Sequence, residues 1–172
     1  FKKISEGTQA VFLRKETNPI RIDNWQTFFG IILLLACGIK LYYGIQNSMD
    51  VQFADEAAYI RFGLDLFETM NRNWGPMYAL WYKCLSFITT DTIQLYYLNF
   101  MITSVLVGVL LYFFLLRISV KPTFALFISF CVLVSDLNIS VWPRISHFCI
   151  VLCLIALIII SFLRNNIYKC LV

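Results

Sequence analysis

Long runs of apolar residues alternate with short polar breaks along the chain and predict its elements. The first run, residues 25–45, is about 20 residues long, which is the length of one helix across a bilayer. Three more runs follow, at 93–116, 123–137 and 147–163. We therefore predict an all-α integral membrane protein with about four transmembrane helices.

The long segment between the first two runs, residues 46–92, carries two shorter apolar patterns. Five apolar side chains recur there at spacings of four and three: Phe53, Ala57, Ile60, Leu64 and Phe67. This spacing is typical of a helix with one apolar face. After a Gly-Pro break, a second apolar stretch is too short to span a bilayer. We predict two amphipathic juxtamembrane helices in this loop, at about 53–70 and 77–88.

Basic residues predict the orientation of these segments. Residues 1–24 form a basic arm, and basic side chains also follow the second and fourth runs at 117–121 and 164–172. Basic loops stay in the cytoplasm. We therefore predict that the arm, the turn at 117–121 and the C-terminal tail at 164–172 lie inside. The loop at 46–92 and the break at 138–144 then lie outside. All five breaks agree with one orientation, with the N-terminus in the cytoplasm.

Composition excludes several classes of protein. Hydrophobic residues make up 60% of the chain and charged residues 14%, whereas soluble domains are roughly 45–50% apolar. The net charge of +4 comes with basic residues at the predicted membrane edges, so we expect no nucleic acid partner. The six cysteines lack metal-binding or redox spacing, and we expect free, buried thiols.

Asp55 and Glu56 are the first candidates for chemistry, because they begin the first loop helix on the predicted outer side. Paired carboxylates can hold a divalent cation, or one of them can act as a general base on a hydroxyl. The alternative is that they only complement the helix dipole.

Basic and aromatic residues near the outer boundary are further candidates. Arg72, Trp74 and Lys83 surround the Gly-Pro break and could bind a lipid-linked phosphate, or simply anchor the loop at the interface. Arg144 and His147 precede the fourth run. His147 is a possible base, ligand or hydrogen-bond partner, and without a second histidine nearby a zinc site is not expected.

The order of these motifs resembles the N-terminal part of the GT-C membrane glycosyltransferases, the superfamily of protein O-mannosyltransferases and aminoarabinose transferases. The resemblance covers residues 25–163. It lies in one crossing followed by Asp55-Glu56-Ala57-Ala58-Tyr59, an amphipathic helix and Gly75-Pro76-Met77-Tyr78. Members of that superfamily usually have about twice as many crossings, so the chain is expected to correspond to the N-terminal portion of such an enzyme.

The resemblance implies roles for the candidate residues. Asp55 matches the superfamily's catalytic acid, which serves as base or metal-linked group, with Glu56 beside it. Arg72 and Lys83 would contact the donor phosphate, and Tyr59 and Trp74 would shape the sugar pocket. The segment with Arg144 and His147 corresponds to a further outer loop of the active site. The implied cofactor is a divalent cation, Mg²⁺ or Mn²⁺, bound through Asp55.

The implied activity is transfer of a sugar, with inversion, from a polyprenyl-phosphate donor to a glycan, lipid or protein acceptor at the non-cytoplasmic face. The expected location is the bacterial inner membrane, with membrane lipid and other membrane subunits as partners. A competing interpretation is a non-catalytic small membrane subunit or scaffold of a larger complex, which docks partners on its outer helices.

Overall fold

The computed structural model of the chain describes residues 24–46, 54–66, 76–135 and 144–170. Within these residues the secondary structure consists of six helices, which confirms the all-α prediction. They are α1 (Asn24–Gln46), α2 (Ala54–Leu64), α3 (Pro76–Leu85), α4 (Thr92–Arg117), α5 (Pro122–Leu133) and α6 (Ile145–Cys170).

Two helices are long and apolar enough to cross a membrane. They are α4 and the part of α6 over Ile145–Leu163. The apolar parts of α1 and α5 are shorter, at Trp25–Leu41 and Pro122–Leu133. With 12 residues, α5 is about 18 Å long, less than the roughly 30 Å of a hydrocarbon core. Length and composition therefore single out two candidate spans among the described residues.

The ends of α4 follow from local chemistry. Asp91 caps its N-terminus, because the Asp91 carboxylate accepts hydrogen bonds from the backbone N–H groups of Ile93 and Gln94 at 2.8 and 3.0 Å. At the other end Ser119 adopts a positive φ of 66°, which turns the chain out of the helix. Pro122 then starts α5 at its first turn, where the missing N–H has no intrahelical partner to lose.

Helix α4 is the central element, and its contacts fix the direction of its neighbours. Tyr112 lies against Gly30 near the start of α1, while Val105 lies against Gly38 further along it, so α1 and α4 are antiparallel. Helix α6 is parallel to α4, because Ser104 bonds Arg144 and Arg117 bonds Ser161. The start of α1 and the end of α4 therefore lie at one end of the protein, with α2, α3 and Arg144 at the other.

Two apolar clusters hold these helices together. One joins α1, α4 and α5 and consists of Leu34, Tyr112, Leu116, Ala125 and Leu133. The other joins α2 and α3 to α4 and α6 and contains Ile60, Tyr78, Tyr82, Leu85, Leu95, Tyr96, Tyr97 and Phe148. The second cluster is rich in tyrosine, so it brings polar hydroxyl groups into the protein interior.

The outer surface of the long helices is apolar. On α6, Ile160 is 58% exposed and Phe162 52%, and only 17% of the apolar stretch of this helix is buried. The five described cysteines are free, as predicted: Cys37, Cys84, Cys131, Cys149 and Cys153. Four of them are exposed, so the prediction of burial was wrong for all but the partly buried Cys37. Their helices turn that face away from the interior.

Candidate functional site

The two adjacent carboxylates of α2 point in different directions. Both lie in its first turn, but Asp55 is exposed, whereas only 3% of Glu56 is exposed. Successive residues on a helix are rotated by about 100°, so two neighbours cannot face the same surroundings. The structure therefore presents one carboxylate at the surface and takes the other into the interior.

Glu56 accepts hydrogen bonds from three other segments. The hydroxyl groups of Tyr78 and Tyr82 donate to Oε1, the latter at 2.5 Å, and Asn99 Nδ2 lies 3.2 Å from the same oxygen. The backbone N–H of Arg144 donates to Oε2 at 3.2 Å. Three of these donors thus converge on Oε1 and one reaches Oε2. We call Glu56 together with Tyr78, Tyr82, Asn99 and the backbone N–H of Arg144 the Glu56 cluster.

Asn99 orients the centre of this cluster. Its side chain is fully buried on α4, and its Oδ1 accepts a hydrogen bond from Trp81 Nε1 at 2.7 Å. An indole N–H can only donate, so the amide oxygen must face Trp81 and the amide nitrogen must face the carboxylate. The Asn99 Nδ2 is also 2.8 Å from each of the hydroxyl oxygens of Tyr78 and Tyr82.

Burial keeps the two tyrosine hydroxyl groups protonated. Helix α3 lies outside the candidate spans, and burial is the main cause that raises the pKa of Tyr78 far above its ordinary value, with the Glu56 charge adding to it. The pKa of Tyr82 is raised for the same main reason, with further contributions from Tyr78 and Glu56. Both side chains therefore remain hydrogen-bond donors at any physiological pH.

Arg144 is a buried cation next to the Glu56 cluster. Its side chain is 0% exposed, its guanidinium carbon lies 3.5 Å from the centre of the Phe100 ring, and its Nη1 donates to Ser104 at 3.2 Å. Burial lowers the pKa of Arg144 to about 10, against the opposing influence of Tyr96, Tyr78 and Glu56. The side chain is therefore still a cation at neutral pH and offsets nearby negative charge.

A row of aromatic rings connects α2 with α3 and α6. The ring centres of Tyr59 and Tyr78 are 4.9 Å apart, those of Tyr78 and Phe148 5.2 Å, and those of Trp81 and Phe148 5.8 Å. Burial raises the pKa of Tyr59, and the charges of Glu56 and Asp55 raise it further. The charges of both carboxylates therefore add to the effect of burial in keeping the Tyr59 hydroxyl protonated.

An apolar groove opens beside these rings. It has a volume of about 260 Å³ and lies between α3, α4 and α6. Its walls include Leu80, Trp81, Leu106, Phe148 and Val151. Trp81 belongs both to this groove and to the hydrogen bonds of Asn99, so the groove ends against the Glu56 cluster.

The structure brings only some of the predicted site residues together. Glu56, Tyr59 and Arg144 share one region, with Asp55 at the start of the same helix as Glu56. Lys83 lies on α3 and donates to the Leu64 carbonyl at 3.1 Å. His147 is 7% exposed, with its Nδ1 3.5 Å from the Ser146 hydroxyl.

Two predicted residues, Arg72 and Trp74, lie outside the described residues. Among the described ones, no group of three or more His, Cys, Asp or Glu side chains could hold a metal ion. Asp55 by itself would supply one carboxylate ligand, which suits Mg²⁺ only when substrate phosphate and water complete its shell.

Sequence reasoning missed three of the four residues that bind Glu56, namely Tyr78, Tyr82 and Asn99. Tyr78 and Tyr82 are four residues apart and therefore share one face of α3, but tyrosine in an apolar segment is also typical of a membrane interface. Asn99 offered a clearer signal, because a carboxamide inside an apolar run usually has a buried partner.

Comparison of the chain with protein-family models, with curated proteins and with solved structures gives no match.

Proposed function

We propose that the chain is the N-terminal portion of a membrane-embedded glycosyltransferase, which moves a sugar from a polyprenyl-phosphate donor to an acceptor at the non-cytoplasmic face. One observation carries the proposal. The exposed carboxylate of Asp55 is held on the same end of the protein as an apolar groove, and the aromatic rings that begin at Tyr59 connect the two.

The apolar surface supports placement in a membrane. Phe127 on α5 is 65% exposed and Ile160 on α6 is 58% exposed, which would be unfavourable in water. The helix directions support one part of the predicted orientation, because the start of α1, the end of α4 with Arg117 and the start of α5 after Lys121 lie at the same end of the protein, the end proposed to face the cytoplasm. Helices α2 and α3 would then lie at the outer face of a bacterial inner membrane, below the aqueous phase that contains the acceptor.

The groove supports a lipid-linked donor. Its walls are the apolar side chains of α3, α4 and α6, and α6 turns much of its surface outward. A polyprenyl chain could enter such a groove laterally from the bilayer, while its phosphate and sugar remain at the interface. In this arrangement the reacting bond would lie at the level of α2 and α3.

Asp55 would act on the acceptor. Its carboxylate takes the proton of an acceptor hydroxyl, whose oxygen bonds to the anomeric carbon as the bond from that carbon to the phosphate oxygen breaks. Polyprenyl phosphate leaves with the bonding electrons, and attack from the opposite face inverts the anomeric configuration. A divalent cation bound by Asp55 and the donor phosphate would help to neutralise the leaving group.

The test measures release of polyprenyl phosphate, which needs no knowledge of the acceptor. Membranes containing the full chain are incubated with undecaprenyl phosphate carrying glucose, mannose or aminoarabinose, together with a membrane extract as acceptor source. We expect Asp55→Asn to lower the release rate by more than about 100-fold. Asp65→Asn is the matched control, since it removes a charge from the α2 segment away from the Glu56 cluster.

Three results would contradict the proposal. One is absence of release by the unmodified protein with every donor, and another is an Asp55→Asn variant that retains most of the rate. A third is loss of abundance or membrane insertion in Asp55→Asn, because the catalytic interpretation requires an intact protein. Loss of assembly only when apolar helix faces are altered would favour the scaffold interpretation instead.

A further inference from the structure

The Glu56 cluster joins three helices and the start of a fourth. The donors to the carboxylate come from α3 (Tyr78 and Tyr82), from α4 (Asn99) and from the residue immediately before α6 (Arg144). This carboxylate is 3% exposed and its Oε1 already has three donors, so it is far less accessible to a substrate hydroxyl than the exposed Asp55. Its geometry suits holding the helices in place.

The cluster also fixes the rotation of α2 about its own axis. Glu56 ties the first turn, and Gly63 lies against α3 near the last turn, where a Cβ atom would come within 2.9 Å of the Ala79 carbonyl oxygen. A helix held at both ends cannot turn. Asp55, one residue before Glu56, is therefore presented in one direction only.

On its other side the cluster holds the start of α6. The Arg144 backbone donates to Glu56, and the Arg144 guanidinium is held against Phe100 and Ser104 of α4. His147 follows within the first turn of α6. Glu56 thus connects two segments that are 88 residues apart in the chain and that both carry candidate site residues.

We infer that Glu56 is a positioning residue, whose carboxylate fixes Asp55 relative to the segment containing Arg144 and His147. Its placement of the helices follows from the hydrogen bonds above. Its influence on turnover rests on the proposed function. Glu56 would not take the acceptor proton itself, although the sequence offered both acids as candidates for catalysis.

The decisive variant is Glu56→Gln, which keeps the shape of the side chain. The amide oxygen can still accept from Tyr78 and Tyr82, but its –NH₂ group then faces the Arg144 N–H, and two donors cannot bond. The link from α2 to the start of α6 is therefore lost. Tyr78→Phe is a milder variant, because it removes one donor and keeps the link to Arg144.

The first measurement is independent of activity. Spin labels are placed at Arg61 on α2 and Ile150 on α6, both exposed, in a background without native cysteines. Pulsed electron paramagnetic resonance should give one narrow distance for the parent protein, for Asp55→Asn and for Asp65→Asn. We expect a clearly broadened distribution in Glu56→Gln. An unchanged narrow distance in that variant would overturn the inference.

The second measurement is the rate of polyprenyl phosphate release, compared among the variants under the same conditions. We expect Glu56→Gln to lower the rate by roughly 10- to 100-fold through misplacement, and Tyr78→Phe by less. Asp55→Asn should lower it further than either variant, because it removes the base itself. If Glu56→Gln lowers the rate as far as Asp55→Asn while its spin-label distance stays narrow, Glu56 takes the proton and the inference is wrong. If no protein releases polyprenyl phosphate, the proposed function fails, and the spin-label distances alone decide whether Glu56 positions α2.

Discussion

Replacement of Asn99 by leucine tests the centre of the Glu56 cluster. The Asn99 side chain is 0% exposed, accepts from Trp81 at 2.7 Å and lies 3.2 Å from Glu56. Leucine fits a similar volume but offers no polar atom. The Trp81 N–H then lacks its acceptor and the Glu56 carboxylate lacks one donor, at about 1–3 kcal/mol for each group. After the gain from burying leucine, we expect the free energy of unfolding to fall by about 2–4 kcal/mol.

The assay is unfolding by SDS in mixed micelles, followed by the circular dichroism of the helices. Thr103→Val is the matched control, because Thr103 is also buried on α4, one turn further along, and its hydroxyl donates only to backbone carbonyls of the same helix. We expect that control to change stability by less than about 1 kcal/mol. If Asn99→Leu is no more destabilising than Thr103→Val, Asn99 does not link Trp81 to Glu56 as described.

Two further predictions concern the packing of α4, and the same unfolding assay measures both. Gly38→Ala should destabilise the protein by about 1–3 kcal/mol, because the new Cβ would lie 2.3 Å from the stiff side chain of Val105. Gly108→Ala is the control and should be neutral or stabilise by up to about 1 kcal/mol, since the nearest neighbour of its new Cβ is Leu133 at 3.4 Å. Equal effects of the two substitutions would refute the close approach of α1 to α4. Ser129→Ala should stabilise by about 1 kcal/mol, since the fully buried Ser129 hydroxyl has no hydrogen-bond partner among the described residues, and a loss of stability would contradict that.

Much of the helical architecture is readable from apolar periodicity. The run at 93–116 corresponds to α4 at Thr92–Arg117, because its length, the Asp91 cap and the basic Arg117 all act locally. For the run at 123–137 the helix α5 ends at Leu133, Val134 and Ser135 lie beyond it, and residues 136 and 137 fall outside the described ones. Apolar composition alone does not show where a helix stops, so the number of membrane crossings stays a prediction.

The candidate site was only partly predictable, and the reason is geometric. The sequence places Asp55 and Glu56 side by side at a helix start, but it does not show which of them faces the interior. That depends on residues from α3 and α4, which contribute Tyr78, Tyr82 and Asn99. These partners are 22 to 43 residues from Glu56, beyond the reach of local pattern analysis.

The contrast between the two acids decides how the outer end of the protein can work. A general base needs a free lone pair and access to its substrate, and among the two carboxylates only Asp55 is exposed. A positioning group needs many fixed partners, and Glu56 has four. The two adjacent acidic residues thus have different roles, because the buried Glu56 sets the rotation of the helix that presents the exposed Asp55. Chemistry at this end of the protein would therefore depend on Asp55 directly and on Glu56 through geometry.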